Sequence, residues 1–218
     1  MAVLSAAGLL LALPGQAAAQ APTTQRGDIA ASIGWLYLDT RVGRPGDQAR
    51  WDGAGYGGVT AGWYWTDDWK TEIDAGGASE AQGYGNEIIT VGGRPFYRFR
   101  QTLTQRKAVG ISQHYQFGRN AWFHPHVAAG GSVAFDTRTD RYDPVFDFYD
   151  PGRPAGIPLE PARTERPTRV TTFRPHISAG FKAYVTQRAF VRSDVRVSGT
   201  TGRGVDEVLA RIVFGIDF

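Results

Sequence analysis

Hydrophobic side chains return at every second position through segment after segment of this sequence, and the faces opposite them carry charge and glycine. The last segment is the plainest. Val208, Ala210, Ile212, Phe214, Ile216 and Phe218 share one face, and Leu209, Arg211, Val213, Gly215 and Asp217 share the other. Successive residues of a strand point to opposite sides of a sheet, so a period of two predicts strands rather than helices. The same split runs through residues 29–38, 58–65, 69–76, 109–117, 123–135, 173–185 and 191–197, which with 208–218 makes eight strands. Gln113 and Ser193 interrupt the apolar faces. Pro125 and Pro175 fall close to the starts of their strands, where a missing ladder bond costs least.

The connections are of two kinds. Thr66-Asp67-Asp68, Gly118-Arg119-Asn120-Ala121 and Thr186-Gln187-Arg188 are tight turns, whereas 39–55, 77–107, 136–169 and 199–207 are long. Short turns at one end and long loops at the other are the pattern of a transmembrane β-barrel, and both termini then lie at the short-turn, periplasmic end. A water-soluble barrel buries its apolar face, while a membrane barrel turns that face to lipid. Two features favour the second. Trp63, Trp65, Trp69 and Trp122 flank tight turns, as an interfacial aromatic girdle does. The opposite face carries Lys70, Glu72, Asp74, Arg174, Lys182, Arg192, Asp194, Arg196, Arg211 and Asp217 among glycines and serines, a set that a narrow lumen holds as paired networks. The expected fold is therefore all-β, an eight-stranded antiparallel up-and-down transmembrane β-barrel. The alternative has ten strands, adding a hairpin about Gly92-Gly93, whose arms are short of the ~9–11 residues a crossing needs.

Composition excludes other classes. Twenty-four Lys and Arg oppose 21 Asp and Glu, a net charge of +3 that is too even for a nucleic-acid binder. The absence of cysteine excludes disulfides and thiolate metal sites. At the front, residues 3–13 form an apolar run of signal-peptide length, too short for a bilayer, although no Lys or Arg precedes it. Pro14 and Gly15 break the run, and Ala17-Ala18-Ala19 suits cleavage between Ala19 and Gln20. The expected organisation is a signal peptide over 1–19, a short periplasmic segment over 20–26 and the barrel domain over 27–218.

The ending Val213-Phe214-Gly215-Ile216-Asp217-Phe218 resembles the C-terminal signature of bacterial outer-membrane proteins, and Gln113-His114-Tyr115-Gln116-Phe117-Gly118 runs into its turn in the same manner. With the export signal and the strand count, the chain resembles the small outer-membrane β-barrels, the porin-like family of OmpA-type membrane domains and opacity-type surface antigens. That resemblance implies a non-catalytic structural or surface-interaction protein of the outer membrane of a Gram-negative-type bacterium. It also implies no cofactor, with outer-membrane lipid, lipopolysaccharide and the barrel-assembly machinery as partners, alongside an unidentified ligand at the loops. Phe214, Ile216 and Phe218 would be what that machinery recognises. No peptidoglycan-binding domain follows the last strand in this sequence, so the resemblance carries no cell-wall anchoring.

Several side chains have competing readings. The inward set, six cations against four anions, is either a salt-bridged plug or the lining of a narrow, anion-preferring pore. His114, His124 and His126 converge near one turn, either as interior packing or as an imidazole cluster for zinc or copper. His176-Ile177-Ser178 resembles the His-x-Ser pair of the outer-membrane lipid A deacylases, but Ala179 stands where their Asn belongs and no acidic third member is present. Arg94, Arg98, Arg100, Arg106 and Lys107 make the second loop basic, suited to lipopolysaccharide phosphates or merely to water. The third loop, rich in proline and aromatics, reads as long and irregular.

Overall fold

The computed structural model describes residues 26–39, 51–117, 122–147, 156–200 and 204–218. Among them the chain forms β1 (Gly27–Asp39), β2 (Trp51–Tyr64), β3 (Trp69–Val91), β4 (Arg94–Gln116), β5 (Phe123–Tyr142), β6 (Arg163–Thr164), β7 (Thr168–Tyr184), β8 (Ala189–Thr200) and β9 (Gly204–Asp217). Each long strand pairs antiparallel with the next, β4 with β5 and β5 with β7, and β9 returns to β1. Eight strands thus close a ring. The two-residue β6 only pairs with the tip of β5. The signal peptide expected over 1–19, most of segment 20–26 and the turn 118–121 lie outside the described residues.

Burial decides which side of the sheet faces out. On the apolar faces Val59 is 60% exposed, Ile33 62%, Phe173 65% and Ile177 65%, whereas Lys70 is 1% exposed, Glu72 0% and Arg192 2%. A barrel that buries its charges and shows a continuous belt of Val, Ile and Phe is the inverse of a water-soluble one. It suits hydrocarbon, where a closed ring leaves no unpaired backbone edge. Towards the long-loop end, part of the interior is apolar. Leu36 and Leu38 of β1, Ala54 of β2, Ala81 of β3 and Leu209 of β9 pack together with Tyr56 and Ala78.

The short-turn end is built by local chemistry. In one turn Thr66 Oγ1 accepts from the amides of Asp68 and Trp69 at 3.3 and 3.1 Å. Thr186 Oγ1 does the same for Arg188 and Ala189 at 3.3 and 2.9 Å. At the same end the amides of Arg26 and Gly27 donate to the Phe218 carbonyl, and the Phe218 amide donates to Gly27, which seals the first strand to the last.

The long-loop end corrects three expectations. First, β3 and β4 are 23 residues each, more than twice what a crossing requires, and join through Gly92 and Gly93, both at positive φ. Residues 77–107 are therefore a continuation of two barrel strands, and the ten-stranded alternative falls. A register shift between Ala78 and Ala81 marks where this extension leaves β2. Second, the third loop is not irregular throughout. Strand β5 runs on to Tyr142, Val145 bridges to Glu160, and Arg98 donates to the carbonyls of Asp143 and Pro161 at 3.2 and 2.8 Å. The Arg98 and Arg163 guanidinia both lie over the Tyr142 ring, 5.0 and 4.7 Å from its centre. Third, β7 begins at Thr168, so Pro175 sits in mid-strand. It is tolerated because pairing with β8 starts only at His176.

Candidate functional site

The described interior is spanned by ion pairs. A ring of eight strands is narrow enough for side chains from opposite walls to meet. Glu72 of β3 takes Arg192 of β8 through Nη2 at 2.8 Å, and Asp74 of β3 takes both Nη atoms of Arg196, also on β8, at 3.0 and 2.7 Å. In the ring order β3 and β8 are diametrically opposed, four strands apart in either direction. A third strut, Arg106 of β4 to Glu207 of β9, crosses another diameter. Arg106 also forks onto its neighbour Asp136 at 2.6 and 2.7 Å.

Shorter links fill the spaces between. Arg211 Nε donates to Asp194 at 2.7 Å, and Arg174 pairs with Asp206. At the short-turn end Lys70 Nζ lies 2.8 Å from Asp28 and 2.7 Å from Glu72. Lys182 Nζ lies 2.8 Å from both Asp217 oxygens, donates to Tyr64 at 2.8 Å and packs 3.9 Å from the centre of the Phe190 ring. Tyr64 donates in turn to Asp28 at 3.0 Å, and Tyr184 donates to Asp217. The lower lumen is thus closed by two lysines held among carboxylates and aromatic rings.

All ten inward charges read from the alternation are buried. Sequence reasoning missed Asp28, Arg98, Arg100, Arg106, Asp136, Asp206 and Glu207, which are buried with them. Among the described residues nine buried cations therefore face eight buried carboxylates, and the positive excess of the first ten charges is halved. Arg106 and Asp136 were legible in principle, because both continue the inward parity of their strands. The apolar alternation stops just short of them, and that is why they were passed over. Asp206 and Glu207 are both buried although adjacent, beside the register shift at Ser198–Gly199. No period-two rule finds such a pair.

Other candidates come apart. His114 and His126 lie 5.5 Å apart by ring centres, but His124 turns to Tyr184 instead, 5.6 Å away and edge-on. The three imidazoles do not assemble, and no three His, Asp or Glu side chains converge as metal ligands among the described residues. His176 pairs through Nε2 with Ser112 Oγ at 2.8 Å, inside the lumen, and not with Ser178 two residues on. In the basic hairpin Arg98, Arg100 and Arg106 turn inward, while Arg94 and Lys107 stay exposed. Trp63, Trp65, Trp69 and Trp122 are exposed near the short-turn end, as are Phe214, Ile216 and Phe218 on β9 and at its end. Gln113, the interruption on its strand, accepts from Thr71 at 2.7 Å, and Thr71 accepts from Trp65 Nε1 at 2.8 Å, so the polar exception is satisfied by the girdle itself.

No protein-family model and no curated protein matches the sequence. Solved structures do. The N-terminal β-barrel domain of Pseudomonas aeruginosa OprF aligns with a TM-score of 0.52 and 16% identity, over 89% of this chain and 98% of that one. Neisserial surface protein A aligns with a TM-score of 0.52 and 12% identity, over 88% and 97%. The fold is that of the small outer-membrane β-barrels. At such low identity this barrel shares strand number and course with them, and its lumen must be read from its own side chains.

Proposed function

We propose that this protein is a non-catalytic resident of the bacterial outer membrane. Its barrel is a closed support for the extended β3–β4 hairpin and the loop packed against it, with a structural or surface-interaction role. The observation that carries this reading is the set of transverse pairs Glu72–Arg192, Asp74–Arg196 and Arg106–Glu207. Each occupies the width that a permeant ion would need, and each is too well neutralised to serve as an open selectivity ring. The partners in this reading are outer-membrane lipid, lipopolysaccharide and the barrel-assembly machinery, the last acting on Phe214, Ile216 and Phe218. Trp63, Trp65, Trp69 and Trp122 anchor the short-turn end at the interface.

Two measurements test the reading. Fractionation followed by gels of boiled and unboiled samples should find a heat-modifiable band in the outer membrane, and a soluble pool would refute residence there. Planar bilayers containing the refolded protein should show no discrete current steps, whereas reproducible steps would establish the narrow channel instead.

A further inference from the structure

On β4 the exposed apolar positions run from Phe117 at the short-turn end through Ile111 and Val109 and stop at Lys107, about one membrane crossing of ~9–11 residues. Above that height β3, β4 and β5 continue as a sheet whose two flanks end differently. On the β5 flank the third connection closes over it: β6 pairs with the tip of β5, and the Glu165 amide donates to the Asp140 carbonyl at 2.8 Å. On the β3 flank, pairing with β2 stops at Tyr56 and Ala78. Two side chains carry that seam a little higher. The Gly55 amide donates to Ser79 Oγ at 3.1 Å, and the Gln82 amide donates to the Asp52 carboxylate. From Asn86 to Val91 no strand lies on that side of β3 among the described residues.

Register shows which backbone groups this leaves unused. Gly92 and Gly93, both at positive φ, make a two-residue hairpin turn, which closes on a hydrogen-bonded pair, here Val91 and Arg94. Successive residues of a strand direct N–H and C=O to alternate edges. Val91, Ile89 and Glu87 therefore bond β4, and Thr90, Ile88 and Asn86 point the other way. The Gln82 amide, which reaches across to β2, has the same parity. Asn86, Ile88 and Thr90 thus offer their N–H and C=O groups along an edge of about 14 Å, at ~3.4 Å per residue.

Exposed edges are ordinarily blunted by lysine, proline, a bulge or an inward charge. Residues 82–91 contain no proline and no cation, and the bulge lies below them, at Ala78–Ala81. Ile88 is 64% exposed. The single charge, Glu87, shares the inner face with Arg98 opposite, but Arg98 gives its donors to the Asp143 and Pro161 carbonyls. Oε2 of Glu87 is buried with no hydrogen-bond partner among the described residues. An unpaired carboxylate at an open edge repels an acidic or apolar neighbour and favours a basic one.

We infer that the Asn86–Thr90 edge of β3 captures an extended segment of another polypeptide as an added strand. A Lys or Arg of that segment lies beside Glu87, and a β-branched or aromatic side chain lies beside Ile88. Backbone bonds supply affinity in this mode of recognition, and the alternate side chains supply specificity. A second copy in the same membrane does not fit. Its β3 would rise in the same direction, and a two-fold axis along the membrane normal would set N–H against N–H. The inference deepens the surface-interaction reading and rests on it.

The test uses the full chain in phosphatidylcholine nanodiscs and a fluorescent peptide of alternating Val and Thr, with one central Thr replaced by Lys. With Lys beside Glu87, the Val amides face β3 and the Thr amides face away. In anisotropy titrations, N-methylation of the Val amides should weaken binding at least tenfold, and N-methylation of the Thr amides should leave it within twofold. Glu87→Lys should reverse the preference for the Lys-centred peptide over a Glu-centred one. No binding, equal binding of the two methylated peptides, or an unchanged preference in the variant overturns the inference. So does hydrogen exchange showing the Asn86, Ile88 and Thr90 amides already protected in the free protein, because the chain's own residues would then cover the edge. The methylation and exchange arms need no variant, so they decide even if Glu87→Lys fails to fold. A gel shift on heating reports the barrel separately: a wild type without it refutes the barrel reading, whereas a folded wild type that ignores the peptide refutes only the strand-capture site.

Discussion

Glu72 on β3 and Arg192 on β8 stand on opposite walls of the barrel and meet in its middle, Nη2 of the arginine 2.8 Å from Oε1 of the glutamate. Lys70 and Arg211 lie 2.7 and 3.7 Å from the same carboxylate. One anion therefore ties together three elements of the wall.

Removing one member of such a buried pair strands the other charge. Glu72→Met or Arg192→Met alone is expected to lower stability by ~3–5 kcal/mol. The double variant should lose less than the sum, because it removes both desolvated charges together. Urea unfolding of vesicle-inserted protein, followed by tryptophan fluorescence, measures the cycle. Strictly additive losses would show that the pair is not coupled.

If the struts are what block the bore, shortening two of them should open it. Arg192→Ala combined with Arg196→Ala is expected to give current steps in planar bilayers where the wild type is silent. A variant that is folded by gel shift and still silent would mean that Lys70, Lys182 and their aromatic partners close the lumen unaided.

Glycine on the inner face is a spatial requirement at particular positions. A Cβ on Gly180 would lie 2.1 Å from the Ser193 carbonyl and 2.8 Å from Asp194 Cα, backbone atoms that cannot step aside. Gly180→Ala should cost about 1–3 kcal/mol. On the outward side Gly57 has its nearest neighbour at 4.0 Å, and Gly57→Ala should stay within about 0.5 kcal/mol of the wild type. Paired unfolding curves distinguish the two sites.

The position of the bilayer is open to a charge scan. Ile111 is exposed in the belt, so Ile111→Lys should cost ~2–4 kcal/mol in lipid. Tyr97, exposed on the hairpin beyond the belt, should accept lysine with little change. Similar losses at the two sites would contradict the assigned boundary.

Period-two alternation was enough to read eight strands, which side chains share a face, and the chain ends meeting at the short-turn end. It was readable because a lipid-facing belt favours apolar side chains: outward residues there are apolar with few exceptions such as Gln113 and Ser193, so the contrast with the lumen is sharp. Beyond the belt both faces meet water and the contrast fades, while backbone pairing goes on. That is why residues 77–107 and the arms of the third connection read as loops and are strands. The bulge between Ala78 and Ala81 then reverses the inward parity of β3, so that Ala81 is buried where the original phase would have pointed it outward. What a strand's own sequence cannot hold is the partner across the bore. Glu72 and Arg192 are 120 residues apart, and they meet only because β9 closes on β1 and sets β3 opposite β8. The sequence by itself determined that charge lies inside. Ring closure, which fixes the diameter and the facing walls, decided which charges neutralise each other.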